Sequence, residues 1–189
     1  GGHHFSKSYG YTYKEIIKNK IKINYRSKIK IKNTNKKELI RFFGNSLQDY
    51  SELIKKAKPS IIVLLGDRYE TFCFCVASFF LNIPIAHIHG GELTFGAFDD
   101  GLRHSITKLS NFHFVSNSIY ARRVIQLGEN PKRVFNVGAL GVENTIKTKL
   151  VNKRKLLKIF KIPDNKKLAL VTFHPVTKNN KEFLKIIPN

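Results

Sequence analysis

Short β-branched runs alternate with amphipathic stretches along the middle of the chain. SIIVLL (60–65), IPIAHI (83–88), FHFV (112–115) and RVFNV (133–137) each carry four to six residues dominated by apolar side chains. Runs of this length and composition read as buried strands of a parallel sheet. Between them lie helical stretches at about 69–81, 99–110 and 118–128, the last closed by Gly128. Upstream, Leu39, Phe43, Leu47, Tyr50, Ile54 and Ala57 recur at helical spacing after an Asn35/Glu38 start signal and before the break at Pro59. Lysine alternating with isoleucine over 20–32 predicts an exposed or edge strand. Downstream, the pattern predicts a lysine-rich helix over 146–160 and a strand over 167–173.

Strand and helix alternating with short connections predict an α/β fold, a Rossmann-like parallel sheet with helices on both faces. The pattern changes near Gly138–Glu143, so the expected division is residues 1–141 and the start of a second α/β unit at 142–189.

The chain has 189 residues, and 42% of them are hydrophobic, enough for a core. Its net charge of +21 is unevenly placed. Residues 1–60 hold 15 Lys/Arg against 4 Asp/Glu, and residues 113–189 hold 16 against 4. Residues 61–112 hold 3 against 5, so the only acidic region is the one with the clearest strand pattern. The lysines are scattered among Asn and Ile without Arg-rich blocks, which reads as solvated surface and leaves nucleic-acid binding a minority reading. Cys73 and Cys75 lie within an apolar run and read as buried thiols. There is no apolar run of transmembrane length and no secretory pattern, which points to the cytoplasm without a membrane partner. The first residue is not Met, and Met is absent throughout, as in a processed chain or a fragment.

Ligands of open parallel sheets bind at the carboxyl ends of the strands. Strand 60–65 delivers Gly66, Asp67 and Arg68 there. Strand 83–88 delivers His87, His89, Gly90, Gly91 and Glu92, and the strand over 167–173 delivers His174. Each has a modest reading. Asp67 and Arg68 could form a local ion pair, and His87 and His89 could be ordinary bonded imidazoles sharing a strand face. Gly90-Gly91 could serve a turn. Asp99 could cap the next helix, and Asp100 with His104 could form an i,i+4 pair on it. Two sharper readings compete. One is a metal-dependent hydrolase with H-x-H and Asp99 as ligands. The other is metal-free acid/base chemistry on an anionic substrate, with Arg68 holding oxygens and carboxylates moving a proton. Spacing alone leaves both open.

GDRYE (66–70), NIPIAHIHGGE (82–92), DDGLRHSITKLS (99–110), QLGENPKRVFNVGALG (126–141) and VTFHPV (171–176) together resemble the UDP-N-acetylglucosamine 2-epimerases. The hydrolysing branch of sialic-acid-type sugar synthesis is the most similar, and GGHHFSKSYGYTYKEI (1–16) resembles that branch's early segment. The resemblance implies a two-domain glycosyltransferase-B-type fold that binds a UDP-sugar in the interdomain cleft, with no metal or other cofactor and a homo-oligomer at full length. It implies C2 deprotonation with loss of UDP, giving a 2-acetamidoglucal, and then hydration to the free 2-epimeric sugar. Asp67, Glu92, Asp99 or Asp100 are then the acid/base candidates, and His174 assists UDP departure from the second domain. Arg68, His89, Gly90 and Gly91 would contact substrate, and Arg103 and His104 would bind or position it. Some members carry Glu where this chain has His89, so acid/base duty could pass to Glu92 or to His89. A first strand is expected before Gly1 and most of the second domain after Asn189, so the chain by itself is expected to be inactive or nearly so. Within the resemblance, the non-hydrolysing branch and a non-catalytic sugar-nucleotide-binding remnant are the alternatives.

Overall fold

The structure, a computed structural model, describes residues 2–5, 7, 10–27, 29, 35–163, 165 and 168–172. Its centre is a four-stranded parallel sheet in the order β1 (Ile62–Leu65), β2 (Ile85–Ile88), β3 (Phe112–Val115), β4 (Val134–Asn136). Helices α3 (Tyr69–Phe80), α4 (Asp99–Leu109) and α5 (Ser118–Gln126) make the crossovers. Two helices precede the sheet, α1 (Tyr13–Lys18) and α2 (Lys36–Ala57). Among the described residues two follow it, α6 (Leu140–Lys147) and α7 (Lys153–Ile159). Parallel strands need such crossovers, because a tight turn cannot bring the chain back to the same end.

Local signals account for the helix ends. The Asn35 side chain accepts a hydrogen bond from the Glu38 N–H and caps α2. Asn117 does the same for α5 through the Tyr120 N–H. Gly128, with φ +91, follows α5 in the left-handed region. Phe42, Tyr50 and Ile54 of α2 meet Cys73, Cys75 and Ala77 of α3, Ile62 and Leu64 of β1, Ile85 of β2 and Ile106 of α4 in one core. Both cysteine thiols are fully buried, which pushes each up to about 12 and leaves them unreactive packing groups.

Register places Leu64, His87 and His113 side by side across β1, β2 and β3. His87 and His113 are fully buried on this face, which α4 approaches with Thr107. On the other face of β1, Val63 and Leu65 remain more than half exposed.

The flanks differ from expectation. Residues 20–27 and 29 form no strand, and no described strand pairs with them; residues 28 and 30–32 lie outside the described residues. Alternation of Lys and Ile satisfies the side-chain period of a strand but supplies no partner for the backbone. For the strand over 167–173 the same holds of residues 168–172, where Leu170 and Val171 are exposed; residues 167 and 173 lie outside the described residues. The helix over 146–160 is two helices broken at 148–152, because Asn152 accepts from the Arg154 N–H and caps α7 afresh. No described helix is long and apolar enough to cross a membrane.

Candidate functional site

The segments after β1 and β2 and the first turn of α4 meet around one guanidinium. Arg103 is 6% exposed and reaches four groups. Its Nη1 donates to the Glu92 carbonyl at 2.8 Å and to Asp100 Oδ1 at 3.0 Å. Its Nη2 donates to Thr94 Oγ1 at 3.0 Å and to the Asp67 carboxylate. A buried cation needs compensating charge and acceptors, and here two carboxylates supply it. Asp67 therefore pairs with Arg103 on α4 and not with its neighbour Arg68. The Arg68 side chain is 56% exposed and lies 3.6 Å from Glu70.

Asp100 also accepts from the Thr94 N–H at 2.5 Å, which ties the loop after β2 to the start of α4. Asp99 is the first residue of α4 and not its cap; the cap position is Phe98, whose side chain makes no cap bond. Both aspartates sit where the helix dipole favours negative charge. The Asp99 side chain has no hydrogen-bond partner among the described residues. Partial burial raises its pKa, the Asp67 and Asp100 charges push the same way, and Arg103 and Arg68 oppose them.

The two histidines of the H-x-H pair do different work. His87 ends its search for partners inside the fold: Nε2 is 2.9 Å from the Gly66 carbonyl and Nδ1 3.1 Å from Thr107 Oγ1. The carbonyl can only accept, so Nε2 carries the proton. Burial holds the ring neutral by lowering its pKa to about 4. Nδ1 then holds the ring's lone pair and faces the Thr107 hydroxyl, which also lies 3.0 Å from the Arg103 carbonyl. Among the described residues no group of three or more His, Cys, Asp or Glu side chains is placed to hold a metal ion.

The strand ends at Ile88, and His89 takes φ +66, so strand alternation does not extend to it. Its N–H donates to the Phe114 carbonyl at 2.9 Å, and its Nδ1 lies 2.6 Å from Glu92 Oε1. Ser116, just past β3, donates its hydroxyl to the same oxygen at 2.8 Å.

Gly90 and Gly91 are buried. Gly91 has φ +78, and a Cβ there would lie 2.6 Å from the Tyr120 carbonyl oxygen, so α5 packs directly on its backbone. Arg123 of α5 donates to the Gly91 carbonyl and fixes the same turn. His104 is half-buried, and its Nδ1 has no hydrogen-bond partner among the described residues; burial lowers its pKa. Asp100 pulls that pKa the other way, so the i,i+4 relation acts through charge, and no hydrogen bond joins the two side chains. His174 lies outside the described residues.

Ser116, Thr94, Thr107 and Arg123 were not among the residues singled out from sequence. Ser116 had a signal. It directly follows the apolar run FHFV, at the same sheet edge that drew attention to Asp67 and Glu92.

Comparison with known proteins adds a family to this geometry. The model of the family described as UDP-N-acetylglucosamine 2-epimerase matches residues 1–188. A GDP/UDP-N,N'-diacetylbacillosamine 2-epimerase (hydrolyzing) of Campylobacter jejuni is 41% identical over 98% of this chain and 48% of its own length. A UDP-N,N'-diacetylbacillosamine 2-epimerase (hydrolyzing) of Legionella pneumophila is 32% identical over 93% of this chain and 46% of its own. The chain thus spans about half the length of the curated relatives it matches. The crystal structure of UDP-GlcNAc 2-epimerase from Neisseria meningitidis bound to UDP-GlcNAc superposes with a TM-score of 0.65 at 21% identity, over 86% of this chain and 46% of that one. That likeness carries the fold alone.

Proposed function

The chain belongs to the UDP-N-acetylglucosamine 2-epimerase family, and from that premise we propose that the protein carrying it is a hydrolysing 2-epimerase of nucleotide-linked 2-acetamido sugars. A 2,4-diacetamido sugar is the favoured substrate, because the relatives at 41% and 32% identity are both described as acting on diacetylbacillosamine. UDP-N-acetylglucosamine is the second substrate to try. We also propose the division at 141/142, with the remainder of a nucleotide-binding domain needed for turnover.

The observation that carries the reading is Asp99. It is a carboxylate at the start of α4, its side chain without a described hydrogen-bonding partner and its pKa raised by burial and by Asp67. A weakly acidic C2–H needs a close, basic group, and a proton returned to C2 from the opposite face needs a second. Breaking the C2–H bond supplies the electron pair of the C1=C2 double bond, and the C1–O pair leaves with UDP. Water then adds its oxygen at C1 while C2 is reprotonated.

Asp67 and Asp100 are engaged with Arg103, so in this scheme they hold Arg103 and bias Asp99. Arg103, with four acceptors already, positions the acids and leaves substrate contact to others. The exposed Arg68 is the cation available to diphosphate oxygens. Gly90 and Gly91 shape the turn, His104 remains a candidate for substrate contact, and His174 is the candidate for assisting UDP departure.

The test is product analysis. The intact protein is incubated with UDP-N,N'-diacetylbacillosamine, its GDP analogue or UDP-N-acetylglucosamine, and products are followed by NMR. Nucleoside diphosphate and free 2-epimeric sugar are expected in equal amounts. An epimerised sugar still linked to nucleotide would replace the hydrolysing reading with the non-hydrolysing one.

A further inference from the structure

We infer that the proton-transferring atom at the end of β2 is Nε2 of His89, with Glu92 fixing its tautomer and Ser116 fixing Glu92. The inference rests on the epimerase reading and assigns roles within it.

Two contacts to one oxygen determine the tautomer. Glu92 Oε1 lies 2.6 Å from His89 Nδ1 and 2.8 Å from Ser116 Oγ. A carboxylate oxygen only accepts, so both the ring and the hydroxyl donate to it. Nδ1 therefore keeps its proton whether the imidazole is neutral or charged. The proton that comes and goes is the one on Nε2. No described residue bonds Nε2, and the His89 side chain is 22% exposed, so solvent or a ligand can reach the ring. Glu92 has one oxygen saturated by two donors, which suits it to orient rather than to exchange protons.

The backbone supports the same assignment. His89 occupies φ +66, a region that non-glycine residues seldom take because of the strain it carries. The bond from its N–H to the Phe114 carbonyl holds it there. That conformation turns the chain out of β2 immediately after the buried, fully bonded His87. A ring serving only to fill the fold would need neither the left-handed turn nor a carboxylate on one nitrogen alone. Strand ends β2 and β3 and the loop at Glu92 meet at this imidazole.

In the proposed step, the Nε2 lone pair takes the C2 proton and the ring becomes imidazolium beside the Glu92 carboxylate. The C2–H electrons form the C1=C2 bond, and the C1–O pair departs on the UDP phosphate oxygen. In hydration, Asp99 in its protonated form delivers a proton to the opposite face of C2 as water adds at C1. The water's surplus proton restores Asp99, and His89 discharges its proton to solvent. Inversion at C2 requires the two groups to act on opposite faces of the sugar.

Two measurements on the intact protein test this. The first is long-range 15N–1H correlation of the imidazoles, with His89 assigned by its loss in His89→Gln. The neutral ring should show a protonated Nδ1 and an unprotonated Nε2, and Glu92→Ala should relax it towards a mixture of tautomers. A protonated Nε2 in the unaltered protein overturns the inference.

The second is steady-state release of nucleoside diphosphate with solvent deuterium entering C2. His89→Gln should lower kcat about 10²–10⁴-fold, the range expected for a lost acid/base group. Ser116→Ala should lower kcat about tenfold or less with KM unchanged, and should loosen the tautomer preference, which a merely packing hydroxyl would not do. An active protein whose His89→Gln variant keeps the full rate overturns the inference alone. A protein that neither releases nucleoside diphosphate nor exchanges the C2 proton overturns the epimerase reading, and with it the proton-transfer role.

Discussion

Arg103 and His89 stand at one sheet edge and are built in opposite ways. Arg103 is buried, and its guanidinium bonds to two carboxylates, a carbonyl and a hydroxyl. His89 is partly exposed and bonded through a single ring nitrogen. The same contrast separates His87, with both nitrogens engaged, from His89 two residues later. A polar group whose donors and acceptors are all matched holds geometry, because any change leaves a buried partner unmatched. A group with one open lone pair at a solvent-reachable edge is free to exchange protons. Proton transfer is therefore assigned to His89 and Asp99, and support to Arg103, Asp67, Asp100 and His87.

The largest expected effect comes from emptying the supporting corner. Arg103→Leu removes the cation between Asp67 and Asp100 and should cost about 3–5 kcal/mol of stability, the range for breaking a buried pair from one side. Urea unfolding measures it, and a loss below about 1 kcal/mol would show that the corner does not hold the edge together.

A somewhat smaller effect should come from the buried histidine through pH. His87 is lowered from 6.5 to about 4 in the fold. Between those pH values the unfolded chain binds a proton that the folded chain excludes. Stability is therefore complete above about pH 6.5 and falls as pH drops through this window, by about 3 kcal/mol in all. His113, also buried and lowered, pushes in the same direction. Urea midpoints at pH 7 and pH 4.5 should differ accordingly, and His87→Gln should flatten the dependence. An equally steep curve in that variant would remove His87 as its source.

Gly91→Ala sharpens the comparison from the backbone side. The new methyl meets the Tyr120 carbonyl and sits at φ +78, so a loss of about 2 kcal/mol is expected. Gly101→Ala on α4, where a Cβ meets nothing within 4 Å, serves as control and should be neutral or slightly stabilising. Smallest is Ser116→Ala, which removes one hydrogen bond to a charged acceptor at the open corner. Its stability change should stay near about 1 kcal/mol while turnover falls.

Much of this organisation was legible from local pattern. The strands at 62–65, 85–88, 112–115 and 134–136 lie inside the predicted apolar runs, since parallel strands packed by helices are apolar over short lengths, although β1 and β4 bury only part of theirs. The rule that parallel sheets bind ligands at strand carboxyl ends located Asp67, Glu92 and His89. Pairing was harder to read. Asp67 and Arg68 are neighbours in sequence, but the guanidinium that holds Asp67 comes from α4, 36 residues away. Ser116 was missed because the rule was not carried on to the third strand.

The flanks misled for a related reason. Lys/Ile alternation over 20–32 and the apolar run after residue 167 have strand composition, but a strand also needs a neighbour, and pairing is set by distant parts of a chain. Asn152 was a cap signal inside a segment read as one continuous helix.

The central claim is that this edge moves a proton at C2 of a nucleotide-linked 2-acetamido sugar while the nucleotide leaves. Turnover in D2O, with the released sugar examined by NMR, tests it most directly. The account predicts free nucleoside diphosphate together with a 2-epimeric sugar carrying one deuterium at C2, and loss of that deuterated sugar in Asp99→Asn, where reaction halts at the 2-acetamidoglucal. Release of nucleoside diphosphate with the sugar unepimerised and protium retained at C2 would contradict it.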